Sequence, residues 1–379
     1  MKYNKTKKSV IILLLIILAG SFGLASAEEA AKPAPVDVSG LLFFDYSYLI
    51  ESKDNEDDSK NLEKQHSFNL TRAYFKFNKK IDDMWSAKVT LDAGTYSNTV
   101  NTTASTDNKD NNKGSYTFLK NAYGQFTKKS DTAGLKVQGG LVGTPVIGLL
   151  DGLVGSRWIY QNYIDKAKDI TGGSIDVGSA DTGLKADLNI LKTVNITGMY
   201  SNGDGYKTNT TDQNTITKAY YGVANITIIN ALNIFGYYHW HDTDKNSKEN
   251  FASYIGGGAA WSQKAIRLGA AYTLRNGKAA DVKEESGIME AWVNVNLEQF
   301  TNVPVLLIGR YATGTYEKNA SSKLENNGSA IWCGVGYQVN NNVQFALMYK
   351  AGSLTKKSGG VKTSDVENST MFVKSEIKF

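Results

Sequence analysis

Sixteen segments between Val36 and the C-terminus alternate apolar and polar residues at a period of two, and the connections between them alternate between short and long. Successive side chains leave opposite faces of a strand, so this period predicts strands with one greasy and one wet face. The segments lie near 36–50, 66–79, 85–92, 115–127, 134–144, 176–190, 192–202, 217–229, 231–242, 251–262, 264–275, 287–298, 303–316, 328–339, 342–352 and 369–379. Short connections fall at 78–83, 128–133, 191, 230, 263, 299–302 and 340–341, whereas 51–65, 95–114, 145–175, 202–216, 242–250, 276–286, 317–327 and 353–368 are long and, 145–175 apart, polar. A soluble sandwich has no reason to sort its loops by length in this way. An all-β sheet of even strand number closed on itself does, with both chain ends on the short-turn side.

Lipid outside and water inside account for the two faces. The expected fold is therefore a single 16-stranded antiparallel transmembrane β-barrel spanning residues 28–379, with short periplasmic turns and long extracellular loops. Barrels of sixteen strands enclose an aqueous channel, whereas eight-stranded barrels fill with side chains. Gly (36) and Tyr (21) are abundant and Pro (4) is scarce, as suits long strands that cannot lose ladder donors. The single cysteine, Cys333, excludes an internal disulfide framework and reads as a small apolar residue at an outward position.

The two ends add a compartment. Lys2, Lys5, Lys7 and Lys8 precede an aliphatic run from Val10 to Leu18 and the small residues Ala25-Ser26-Ala27, so residues 1–27 read as a cleaved secretory signal peptide. Its removal takes four lysines and leaves 38 basic against 37 acidic residues, a balance that implies no nucleic-acid partner. At the other end, Met371, Val373, Ile377 and Phe379 share one face of a strand, and Lys374, Glu376 and Lys378 share the other. This terminus resembles the C-terminal recognition signal of bacterial outer-membrane barrels. The resemblance implies that Phe379, Ile377 and Val373 are read by the barrel-assembly machinery, and that the mature chain sits among outer-membrane lipid and lipopolysaccharide.

The longest connection, 145–175, differs from the rest in being apolar. Leu149, Leu150, Leu153, Trp158 and Ile159 need a surface to bury against, so this third long loop is expected to fold into the lumen. There it would present Arg157, Lys166 and Lys168 alongside Asp151, Asp165 and Asp169 to passing solutes. Packing over the mouth or into a subunit contact is the other arrangement such a loop can take.

Three stretches resemble the phosphate-selective porin O and P family: Phe68-Asn-Leu-Thr-Arg-Ala-Tyr-Phe-Lys-Phe77 with Met84-Trp85 and Leu91-Asp92, Leu119-Lys-Asn-Ala-Tyr-Gly-Gln-Phe126, and Gly140-Leu-Val-Gly-Thr-Pro145 leading into Ser156-Arg157. The likeness covers roughly the first half of the mature chain and the C-terminal strand. It implies a homotrimeric porin with a constricting third loop. Gly143 stands where the family carries a lysine before Thr-Pro, and no dense arginine ladder is present, so the resemblance implies porin architecture and leaves the solute open.

On these strands the inward charges lean positive: Arg72, Lys76, Lys88, Lys136, Lys185, Arg267, Arg310, Lys350, Lys374 and Lys378 against Asp37, Asp45, Asp92, Asp187, Glu290 and Glu376. Basic pore walls concentrate anions, although charges that pair locally would cancel the bias. The expected function is an outer-membrane diffusion channel for small hydrophilic solutes and ions with weak anion preference, whose constriction draws on Arg157, Asp151, Lys166, Arg72, Lys88, Arg267 and Arg310. A non-conducting surface adhesin or structural barrel is the alternative. His239 and His241 share a strand face, but no third ligand stands at a metal-binding spacing, so neither a metal nor a cofactor is expected. The acidic run from Glu51 to Asp58 reads as a solvated loop. Three histidines without a nucleophile motif make no case for an enzyme.

Overall fold

The computed structural model describes residues 35–56, 62–97, 113–166, 168–172, 177–203, 205–206, 217–242, 250–279 and 282–379. The leader, residues 1–27, lies outside them, as does part of the acidic run. Sixteen long strands follow in chain order: β1 (Val36–Asp54), β2 (His66–Lys80), β3 (Trp85–Ser97), β4 (Lys113–Lys129), β5 (Ala133–Gly143), β6 (Ala180–Ile190), β7 (Val194–Ser201), β8 (Ala219–Ile229), β9 (Leu232–Asp242), β10 (Phe251–Ser262), β11 (Ile266–Ala279), β12 (Val282–Asn296), β13 (Val305–Asn319), β14 (Leu324–Gln338), β15 (Val343–Ser358) and β16 (Val361–Lys378). A two-residue ladder, Leu62–Glu63, pairs with Glu51 and Ser52 of β1. Among the described residues three helices accompany the strands: α1 (Pro145–Val154), α2 (Lys168–Thr171) and α3 (Glu298–Thr301).

Each strand pairs antiparallel with its chain neighbours, and β1 also pairs with β16, from Leu41↔Lys378 to Asp54↔Val366, which closes the barrel. Closure leaves no ladder edge, the one way a sheet can satisfy its backbone in lipid. The C-terminal residue completes the seam. Gly40 N donates to the Phe379 carbonyl at 2.6 Å, and Phe379 N donates back to Gly40 at 3.2 Å. The Phe379 ring lies over Gly40, where a Cβ would sit 1.9 Å from it, and packs edge-on to Phe75 at 5.8 Å. Glycine at 40 is therefore the seat for the terminal ring, and Val373 and Ile377 face outward beside it.

The outer wall is a band of exposed Ile, Leu and Val between two aromatic rims. Tyr200, Tyr220 and Trp240 pack in succession toward the end away from the termini, and Trp85 packs on Phe126 toward the terminus end. Cys333 is exposed on this wall, as its parity requires.

The late loops depart from expectation. Connections expected at 276–286, 317–327 and 353–368 are largely strand, because β11 to β16 run past the greasy band and join through turns of a few residues. Above the membrane both faces are polar, so the period vanishes from the sequence while the backbone ladder continues. The expected 176–190 strand also begins later, at Ala180.

Candidate functional site

The core of this molecule lies inside the barrel. Loop 145–175 enters the lumen through Thr144-Pro145, whose proline suits the first turn of α1 because it has no N–H to leave unpaired. Val146, Ile147, Leu150, Leu153 and Val154 of α1 are buried, as are Ile159, Ile164 and Ile170 beyond it. They pack on inward apolar residues of β7 to β15, among them Met199, Val223, Phe235, Tyr237, Ile288, Trp292, Ile308 and Met348. Gly155 ends α1 at φ 73°, and a Cβ there would meet the Arg267 guanidinium at 2.6 Å.

A loop buried without a ladder needs donors for its carbonyls. Four consecutive strands supply them. Arg267 on β11 donates to Gly152 O at 2.7 Å, and Asn294 on β12 to Val154 O at 2.8 Å. Arg310 on β13 donates to Gln161 O at 2.6 Å, and Asn326 on β14 to Thr171 O at 2.9 Å. Arg310 also pairs with Glu290 and lies between the rings of Tyr160 and Tyr163, 4.4 and 4.2 Å from their centroids. Arg267 and Arg310, read from the sequence as pore-lining cations, are thus loop anchors, and the Arg310 side chain is only 1% exposed.

The loop fills one side of the lumen, and the other side holds two cavities. The cavity away from the termini, about 390 Å³, is lined by Thr71, Arg72, Asp92, Phe118, Tyr206, Lys166, Lys350 and Lys374 among others. The cavity toward the termini, about 430 Å³, is lined by Leu41, Tyr74, Lys76, Lys88, Thr90, Lys120, Asp151 and Lys378 among others. Phe43, Arg157 and Trp158 line both, so the two meet at the loop's Arg157.

Charges at this junction are heavily paired. Arg157 bridges Asp151 and, at 3.3 Å, Asp165, and Asn162 donates to Asp151 at 2.8 Å. Burial pushes the Asp151 carboxyl above its ordinary value, while Arg157 and Asn162 oppose that rise. Across the gap, Arg72 donates to the Tyr74 hydroxyl at 2.5 Å and to Asp92 at 3.2 Å. Lys120 donates to the same hydroxyl at 3.0 Å and lies 3.6 Å from Asp92. Lys374 pairs with Asp45 at 3.2 Å, and Lys136 with Asp187 at 2.7 Å. Lys166 is exposed at the upper cavity, and Lys88 lines the lower one.

Two inward residues escaped the period-two pattern, and one mechanism explains both. A bulge opposite Phe43/Phe44 inserts Thr71 into β2, and another opposite Thr90/Leu91 inserts Lys120 into β4. A bulge sets two successive residues against one partner and re-aims side chains. Thr71 joins Arg72 in the lumen, and Lys120 joins Asn121. Tyr206 was missed for a different reason: it belongs to the fourth long loop, yet its hydroxyl donates to Asp92 at 3.1 Å. Its ring packs edge-on to Phe118 at 6.4 Å.

His239 and His241 stack at 5.1 Å, with Tyr221 and Tyr254 stacked on His239 at 4.2 and 5.1 Å. Among the described residues no group of three or more His, Cys, Asp or Glu side chains is placed to hold a metal ion.

A closed sixteen-stranded barrel with a loop folded into its lumen defines a porin-like fold. The family model described as "Putative beta-barrel porin-2, OmpL-like" matches residues 35–149. Among solved structures the chain is similar in fold to the trimer form of OmpT, an outer-membrane protein of Vibrio cholerae, at 12% identity and TM-score 0.58 over 91% of this chain and 99% of that one. It is similar to an anion-selective porin from Comamonas acidovorans at 13% identity and TM-score 0.59, covering 91% and 99%. OmpF of Salmonella typhi, in complex with daunomycin, aligns at 11% identity and TM-score 0.59, covering 91% and 97%. No curated protein matches the chain.

Proposed function

We propose that this protein is an outer-membrane diffusion channel for small hydrophilic solutes and ions, with weak anion preference and no reaction of its own. The observation that carries the proposal is the division of the lumen. Two polar cavities meet beside a loop that is packed and hydrogen-bonded to the opposite wall, and Arg72, Lys76, Lys88, Lys120, Lys166 and Lys350 line them. Solvated cations along a low-dielectric wall raise the local anion concentration. The anion-selective porin with a similar fold is in keeping with this sign, as is the surplus of basic over acidic residues lining both cavities.

The export and assembly parts of the proposal rest on the termini. Residues 1–27 are removed as a signal peptide, the short turns face the periplasm, and the barrel sits among lipid and lipopolysaccharide as a homotrimer, the form of one similar structure. Phe379 carries the assembly signal because it both closes the seam and presents its ring outward. The likeness to the phosphate-selective porins extends to this architecture, not to a choice of phosphate.

Recording from purified, heat-modifiable protein in a planar bilayer tests the proposal. Stable open channels with a reversal potential of anion-selective sign in a salt gradient are expected. Absence of conductance would favour the adhesin or structural barrel. Deleting Phe379 should leave the chain in the periplasm, and normal outer-membrane levels of that variant would remove the assembly role.

A further inference from the structure

Most inward cations of this barrel are already engaged, which makes the exceptions informative. Arg72 and Lys120 share Asp92 and the Tyr74 hydroxyl, Arg157 is held by Asp151 and Asp165, Lys374 by Asp45, and Lys378 by Glu376 at 2.8 Å. Lys185 donates to Gly143 O at 3.0 Å. Lys76 and Lys88 have no acidic partner among the described residues, yet both line the cavity toward the termini. They are neighbours: Lys76 stands opposite Thr90, and Lys88 is two residues from Thr90 on the same face of β3.

Thr90 supplies the second observation. It is 3% exposed, lines the same cavity, and its hydroxyl has no hydrogen-bond partner. A buried hydroxyl without a partner costs about 1–3 kcal/mol, so such a group calls for an occupant that bonds it. Asn121, opposite Thr90 on β4, brings an amide to the same wall.

Resting on the channel reading above, we propose that Lys76, Lys88, Thr90 and Asn121 form a binding station for small dicarboxylates on their way through the pore. The donors decide the class. Both lumen guanidinia nearby, which would grip one oxyanion bidentately, are occupied by acids. What remains is two separate point charges on diagonal positions, about 7–8 Å apart at their roots. Two carboxylates a few bonds apart satisfy both ammonium groups at once, and the Thr90 hydroxyl beside them and the Asn121 amide on its far side can bond a further oxygen. A monocarboxylate reaches only one ammonium.

The test measures permeability in planar bilayers at pH 7 with potassium salts of succinate, acetate, phosphate and chloride. Wild-type protein should pass succinate over acetate by more than their aqueous mobilities dictate. Lys76→Gln and Lys88→Gln should each cut that succinate-to-acetate ratio about tenfold, the loss of one charge-assisted hydrogen bond. Thr90→Val should cut it less. Ratios that follow mobility, or that stay unchanged in both lysine variants, would overturn the assignment, as would a preference for phosphate over succinate lost in the same variants. Conductance without discrimination overturns this ligand alone, whereas no conductance at all removes the channel reading beneath it.

Discussion

The two sides of the lumen face the same pore and follow different chemistry. From β7 to β13 the inner wall contributes Met199, Tyr221, Val223, Phe235, Tyr237, Tyr254, Ile288, Trp292 and Ile308 to one buried cluster with the loop. From β16 round to β5 it carries Lys374, Glu376, Asp45, Arg72, Lys76, Lys88, Lys120 and Gln138, with the two cavities in front of many of them. Outside, both halves show the same apolar band. Strands on the loop side therefore carry many apolar residues on both faces, broken by the polar anchors Arg267, Asn294, Arg310 and Asn326, whereas those on the open side keep a mostly charged and polar inner face. Inward residue type, read strand by strand, tells which half of a large barrel a folded loop will fill.

Arg310 offers the strongest way to break this division. Replacing it by Met strands the buried Glu290 carboxylate and removes a donor to Gln161 and the ring sandwich. Breaking a buried pair from one side costs about 3–5 kcal/mol. The variant should lose its folded, heat-modifiable form at lower temperature, and the loosened loop should raise single-channel conductance. Unchanged conductance would mean the loop stays in place without its clamp.

Leu150→Ala tests the packed side by volume alone. Leu150 is fully buried, so truncation should cost about 2–5 kcal/mol. Selectivity should not move, because no charge on the open side changes. A shifted reversal potential without lost stability would show that the two halves are not separate.

Arg157 sits where the halves meet, and its replacement should act in the opposite sense. Arg157→Glu leaves Asp151 and Asp165 uncompensated beside both cavities and should push the reversal potential toward cations, with Arg157→Ala intermediate. Wild-type potentials in both variants would place Arg157 outside the conduction path. The smallest effect needs no mutation. Raising salt from 0.1 M to 1 M shortens the screening length from about 10 Å to about 3 Å, so anion preference should shrink in the wild type while Leu150→Ala follows it step for step. A preference indifferent to salt would point to steric rather than electrostatic selection.

Much of this molecule was legible without coordinates. Lipid on one side and water on the other impose a period of two, so strand number, closure and the outward parity of Phe379, Ile377 and Val373 follow from local pattern. The apolar run from Pro145 likewise had to find cover, and the lumen was the cover at hand. Three things depended on tertiary structure. Bulges at Thr71 and Lys120 change parity through a pairing choice made with the neighbouring strand, which no single segment records. Strands β11 to β16 extend past the greasy band because their partners continue the ladder, where the sequence shows mostly polar residues on both faces. Above all, Arg267 and Arg310 look from sequence like any other inward cations. They become anchors because the loop, more than a hundred residues away in the chain, lays its carbonyls against them. Parity is set by neighbours along a strand, but the partner of a charge is set by whatever the fold brings across the lumen.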